Sequence, residues 1–225
     1  MTILPRIALA CLLPLLLAGC LLVPGKFTSG FDVRADRHFS FTYKGELVAA
    51  EPSEGMTAFP GEAPGEDAAK RKADTLKERE SRYRALAEAL SREAGYRSVA
   101  YRGNGRFDVD YAIEGLLSST FLFPFNSDAE VIVPFIAAEV RKDGTVRIKA
   151  PAFGKSGLKP SGLPGVPGMG DPENLSEGTF TLSTDAEIVM HNQEEGSSTG
   201  PNGKTVRWVI GPLKKDPPTA VLRFR

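Results

Sequence analysis

Apolar and polar positions alternate along most of this chain. Phe31, Val33 and Ala35 interleave with Asp32 and Arg34, and Phe39, Phe41 and Tyr43 interleave with Ser40 and Thr42. A period of two puts every second side chain on one face of a strand. Residues 27–48 therefore predict a β-hairpin that turns at Ala35-Asp36-Arg37-His38 and carries an aromatic face in need of a cover. The pattern then recurs. Segments 97–101 and 106–113 flank Gly103-Asn104-Gly105, a hairpin signal because Asn and Gly accept positive φ. Segments 129–139 and 145–149 flank Arg141-Lys142-Asp143-Gly144, and 179–190, 205–210 and 219–224 supply three more strands. The apolar run 116–125, broken by Pro124, fits a buried strand.

One stretch changes period. Residues 66–93 contain no Gly or Pro, open on Glu66 and Asp67, and stop at Ala94-Gly95, which predicts a helix. Ala69, Leu76, Tyr83 and Leu90 recur every seven residues with Ala73, Leu86 and Ala87 beside them, a stripe suited to one side of a sheet. Oppositely charged residues four apart (Glu66 and Lys70, Asp67 and Arg71, Glu78 and Arg82, Glu80 and Arg84, Glu88 and Arg92) cover the rest, each pair worth a few tenths of a kcal/mol. Glu80 falls where a coiled-coil seam needs a second apolar position, so a solvated helix packed on a sheet is expected rather than a partner coil. Gly and Pro mark 51–64 and 151–178 as loops, and 194–203 is a polar loop. One helix among many hairpins predicts an α+β fold, an antiparallel β-sheet of hairpins packed against one long helix.

Charge narrows the class. The chain balances 28 basic against 28 acidic residues. That argues against a nucleic-acid binder, which carries a clustered basic excess. The N-terminus differs from everything after it. Arg6 is the sole charge of the leader, residues 7–17 form an apolar core of secretory length, and the small pair Ala18-Gly19 leads into Cys20. A membrane-spanning helix needs about 20 apolar residues, whereas the stretch 7–23 falls short and is interrupted by Pro14 and Gly19 and followed by Pro24.

Leu17-Ala18-Gly19-Cys20 resembles the lipobox of a bacterial lipoprotein signal. The resemblance implies that the Cys20 thiol receives a diacylglyceryl group, that a dedicated peptidase recognises Leu17, Ala18 and Gly19 and cuts before Cys20, and that the new amine can be acylated. Two or three acyl chains hold a protein on a bilayer, where a single chain binds reversibly. Residues 1–19 are then the signal peptide, 20–26 a lipidated tether and 27–225 a single α+β domain of roughly 200 residues, long enough for a real core. Loss of Arg6 leaves 27 basic against 28 acidic residues. Cys11 is discarded and Cys20 blocked, so no thiol remains for a disulfide, a Cys-ligated metal or a nucleophile. In a cell with two membranes, Leu21 after the lipidated cysteine, in place of Asp, implies the periplasmic face of the outer membrane.

Chemistry is otherwise sparse. His38 and His191 have no metal-ligand spacing, no G-x-S-x-G elbow is present, and Gly103 and Gly105 precede no helix that would bind phosphate. No cofactor motif is found. Asp108 and Asp110 alternate on one strand, which fits acid–base work or, more simply, the outer face of an amphipathic strand. Leu158, Leu163, Val166 and Met169 stand among Gly and Pro in the 151–178 loop. Apolar residues in a loop cover a cavity mouth, touch lipid, bind a partner or lie flat on the sheet. Trp208 fits core or cavity wall.

A second resemblance covers most of residues 27–225. A lipobox, an early hairpin, a central helix and a late strand ending near Asn192 are followed by Gly203, Val206 and Trp208 in Gly-Lys-Thr-Val-Arg-Trp. This layout is similar to the LppM-type lipoprotein domain of bacteria and implies an exported α+β domain that binds lipid or glycolipid. The expectation is a membrane-anchored, non-catalytic envelope module for a lipid or another amphiphile, with a structural or assembly subunit of an envelope complex as the alternative.

Overall fold

The computed structural model describes residues 21–50, 66–124, 134–154, 176–213 and 216–224. Twelve strands and one long helix are arranged in the order β1 (Leu21–Val33), β2 (His38–Ala50), α1 (Glu66–Arg92), β3 (Tyr96–Gly103), β4 (Arg106–Leu116), β5 (Phe121–Phe123), β6 (Ile136–Val140), β7 (Thr145–Lys149), β8 (Glu177–Thr184), β9 (Glu187–His191), β10 (Ser198–Gly200), β11 (Gly203–Ile210) and β12 (Thr219–Arg223). The fold is α+β, built on two sheets rather than one. The larger runs β10-β11-β8-β1-β2-β4-β3 and the smaller β5-β6-β7-β12-β9. Their inner faces meet, as in a sandwich. Phe41 of β2 lies 5.0 Å from Phe123 of β5, and Tyr43 of β2 lies 6.0 Å from Phe135, next to β6. The aromatic face of the first hairpin is covered by the small sheet, and Phe31, Phe41, Tyr43, Phe107 and Phe123 are all fully buried.

The sheets are not wholly antiparallel. β1 pairs with β8 in parallel from Lys26↔Glu177 to Val33↔Thr184. A parallel pair needs a long crossover, and the chain supplies it by building β5, β6 and β7 between them. The predicted strand 179–190 is two strands in different sheets. Thr184 Oγ1 donates to Val33 O and accepts from Ala186 N, while the Asp185 carboxylate takes Ala35 N–H at 2.6 Å and an Arg34 guanidinium N–H at 2.8 Å. These bonds fix a corner without Gly or Pro, and the alternation runs through it unbroken.

Residues 21–26 are strand, not tether. Val23 pairs with Val48 and Pro24 with Leu47, and both Val23 and Pro24 are buried. Pro24 is tolerated because β8 joins β1 only from Lys26, which leaves its missing donor no partner to deprive. The register shifts between Pro24 and Phe27, a bulge that absorbs Gly25. The run 116–125 also divides. Leu116 ends β4 at 55% exposed, and β5 holds only Phe121–Phe123. The polar stretch 194–203 contains the short β10, and the described parts of 151–178 hold a 3₁₀ turn at Pro151–Phe153 and the start of β8 at Glu177.

The helix spans Glu66–Arg92 as its pattern predicts, and Gly95 leaves it at φ +93°. Its stripe is used over half its length. Tyr83, Ala87 and Leu90 are buried, whereas Ala73 is exposed and Leu76 is 48% exposed. Lengths account for this, since 27 helical residues reach about 40 Å and the eight of β3 about 26 Å. The Glu78–Arg82 pair closes at 2.9 Å and Glu88–Arg92 at 3.8 Å. Glu80 instead accepts the Asn104 N–H at 3.1 Å, at the tip of the β3–β4 hairpin.

Candidate functional site

Strand direction brings the described neighbours of two sequence-predicted segments to one end of the sandwich. β1 and β8 start there, β4 pairs antiparallel with β2 and so starts there as well, and β2, β3 and β11 end there. Leu17, Ala18, Gly19 and Cys20 lie outside the described residues, but the strand that follows them begins at Leu21 on this end. Leu158, Leu163, Val166 and Met169 also lie outside the described residues. The flanks of their loop are fixed at the same end. Phe153 stacks on Phe27 at 4.2 Å, Gly154 lies against Pro217, and the Ser176 hydroxyl is within hydrogen-bond distance of Pro24 O (3.1 Å) and Ala152 O (3.2 Å).

The space between the sheets is filled there by side chains. Phe27, Tyr43, Phe123, Phe135, Phe153 and Phe180 form a continuous series of ring contacts. On the outer face, a shallow open hollow of about 360 Å³ is lined by Lys26, Phe27, Thr28, Lys44, Glu177 and Gly178 where β1 bulges. Lys26 faces Glu177 at 3.9 Å, and Lys44 faces Asp110 at 3.9 Å. All of its charges are matched, and both lysines are 81% exposed, so the ion pairs are weak.

The candidate acid–base residues are not brought together. Phe107, Val109 and Tyr111 are buried on the inner face of β4, which puts Asp108 and Asp110 on the outer face. Asp108 is held by Arg102 Nε at 2.6 Å. His38 pairs with Asp36 at 3.0 Å at the far end of β2, and His191 Nδ1 accepts the Gln193 N–H at 3.2 Å in the other sheet. The Asp36 carboxyl lies below its ordinary range because the His38 backbone N–H donates to it, with the His38 side chain adding to the effect. Among the described residues no three acidic, histidine or cysteine side chains gather as metal ligands, and no helix is long and apolar enough to cross a membrane.

Of Asn192, Gly203, Val206 and Trp208, the structure joins Asn192 to Trp208. Asn192 Oδ1 accepts from Trp208 Nε1 at 3.1 Å and from Thr219 N at 3.0 Å, and its Nδ2 donates to Pro217 O at 2.8 Å. One amide therefore ties β11 of the large sheet to β12 of the small one. Gly203 sits at φ +110°, and a Cβ there would collide with the Thr184 carbonyl. Trp208 and Val206 are fully buried and belong to the core. Sequence reasoning missed the Arg34 network, in which the guanidinium also donates to Asn202 O at 2.8 Å. Its members are 151 and 168 positions apart, beyond any local signal. It missed Tyr96 too, whose buried hydroxyl has no hydrogen-bond partner and whose proton is held well above the usual range by burial.

No protein-family model and no curated relative matches the chain. Among solved structures it is similar to the NMR structure of the folded domain of the Mycobacterium tuberculosis LppM protein, with 15% identity over 92% of this chain and 91% of that one, and a TM-score of 0.31. The functional reading rests on this chain's own residues.

Proposed function

We propose that this chain is a membrane-anchored envelope lipoprotein, acylated on Cys20, whose folded part is a non-catalytic binding module for a lipid or another amphiphile. The observation that carries the reading is the meeting of Leu17-Ala18-Gly19-Cys20 with the fold. The proposed cleavage point precedes Leu21, so removing residues 1–19 takes none of the described residues of β1. Each acyl CH₂ buried in the bilayer contributes about 0.8 kcal/mol, and the two or three chains of a lipoprotein anchor exceed the reversible hold of one. The rings that fill the space between the sheets favour an amphiphile site outside it, at the end where β1 begins at Leu21 and where Phe153 and Ser176 flank the loop that holds Leu158, Leu163, Val166 and Met169. In a cell with two membranes that end faces the inner leaflet of the outer membrane.

The experiment is metabolic labelling with an alkyne fatty acid, together with mass spectrometry of what co-purifies with the domain made without residues 1–20. Label on wild type, none on Cys20→Ala, and a bound amphiphile are the expected results. A ligand-free domain that ignores liposomes removes the binding half of the proposal. Val209 (69% exposed) and Leu213 (88% exposed) favour a second reading, an assembly subunit of an envelope complex. Crosslinking in cells then traps one dominant protein partner.

A further inference from the structure

β1 meets two different surroundings along its length. Residues 26–33 are held on both sides, by β2 and by β8. Residues 21–24 have β2 alone, because β8 begins its pairing at Lys26↔Glu177. The register shift between Pro24 and Phe27 separates the two parts. Pro24 brings no N–H to a ladder, and Gly25 falls within the shift.

The core divides at the same place. Phe27 stacks on Phe153 at 4.2 Å and on Tyr43 at 5.5 Å, inside the continuous core. Upstream, Leu22 is partly buried at the margin of that core, and Val23, though buried, is not part of it. Pro24, also buried, accepts the Ser176 hydroxyl at 3.1 Å, and that hydroxyl has a second acceptor in Ala152 O at 3.2 Å. β2 does not depend on the upstream part. Leu47 and Val48 pair with Phe107 and Arg106 of β4, and Ala49 N–H donates to Gly105 O at 2.8 Å. Peeling residues 21–24 away therefore leaves β2 paired, and the opening stays local.

Cleavage before Cys20 asks for such an opening. Water adds across the Gly19–Cys20 amide and leaves a carboxylate on Gly19 and an amine on Cys20. A peptidase works on extended chain to both sides of the bond, and it attacks a folded chain through the fraction that has opened. Leu21, the next residue, has Ala50 as its strand partner. Unpaired, residues 21–25 supply about 17 Å of free chain, and the shift ahead of Phe27 is where the peeling stops.

We infer that residues 21–25 are a latent tether, paired with β2 in the free domain and peeled back as far as the bulge while a signal peptidase cuts before Cys20. The inference rests on the lipoprotein reading of Cys20 and adds its regulation: the hold of β2 on this segment sets the rate of processing.

The test uses the full chain carrying Cys11→Ala, accumulated in cells whose lipoprotein peptidase is inhibited, then purified in detergent and given to the purified peptidase. Val23→Cys with Val48→Cys sets a disulfide across paired positions upstream of the bulge, and Thr28→Cys with Lys44→Cys sets one downstream. The upstream disulfide is expected to slow cleavage by roughly tenfold or more, because it removes the opened fraction. Reduction restores the rate, as does a Gly-Gly-Ser-Gly insert between Cys20 and Leu21 with the disulfide intact. The downstream disulfide leaves the rate unchanged. In the precursor without either cysteine pair, the β2-paired amides of residues 21–23 exchange hydrogen faster than those of residues 29–31. Cleavage of the upstream-bridged chain at the rate of its reduced form overturns the inference and leaves the acylated cysteine standing. An insert that restores nothing assigns the slowing to distortion and also overturns it. Where Trp208 emission shows that the cysteine pair has not folded, exchange at 21–23 no faster than at 29–31 overturns it instead. A precursor with no diacylglyceryl mass on Cys20 overturns the lipoprotein reading itself, and the inference with it.

Discussion

The two halves of α1 carry the same kind of sequence and meet different surroundings. From Tyr83 to Arg92 the stripe is covered by β3 and β4, with Tyr83 4% and Leu90 1% exposed. From Lys70 to Glu78 every side chain described is exposed, Leu76 among them. Oppositely charged residues four apart occur along the whole helix. Periodicity therefore defines the helix and its apolar side, and the length of the neighbouring strand decides how much of that side is core.

Truncations separate the halves most sharply. Tyr83→Ala removes an aromatic ring from the core and is expected to cost about 3 kcal/mol, read from the urea midpoint at constant slope. Leu76→Ala, at the equivalent position one heptad earlier, should stay within about 0.5 kcal/mol. Equal effects would mean that the N-terminal half of α1 is packed in solution. Gly95→Ala acts on the buried half alone. Its φ of +93° disfavours a side chain, and the added Cβ meets the Tyr111 ring, so a loss of about 1–3 kcal/mol is expected.

Alkali acts on the same half. Burial raises the Tyr96 phenol, with Tyr111 and Glu93 adding to the effect, and burial raises Tyr111 as well. The folded chain keeps protons that the unfolded chain releases above about pH 10. The stability these groups contribute is therefore complete below that pH and falls as pH rises through it. Tyrosinate absorbance should lag behind that of a denatured control and then appear together with unfolding. The smallest effect belongs to the exposed half. Glu78→Ala breaks the 2.9 Å pair with Arg82 and should cost about 0.3–0.5 kcal/mol, vanishing in high salt.

Local patterns were legible wherever their cause was local. The Gly103-Asn104-Gly105 turn follows from positive φ at Asn104 and Gly105, and both have it. The outward placement of Asp108 and Asp110 follows from strict alternation along β4. What the chain concealed depends on distant partners. Pro24 reads as a breaker until β8 is known to begin its pairing at Lys26, and Asp185 reads as mid-strand until Arg34 and Ala35, 150 positions away, are seen to hold it. The parallel β1–β8 pair carries no signature within either strand. Among the candidate site residues, Asn192 and Trp208 were singled out by layout and turn out to be one hydrogen-bonded joint between sheets. Cys20 lies outside the described residues, and the proposal for it rests on Leu17-Ala18-Gly19-Cys20 as sequence.

The account depends on Cys20, and the N-terminal peptide of the protein purified from membranes tests it most directly. Mass spectrometry is expected to find a peptide that begins at Cys20 and carries a diacylglyceryl mass, absent from Cys20→Ala. A peptide that begins at Met1, or at an unmodified Cys20, would contradict the account.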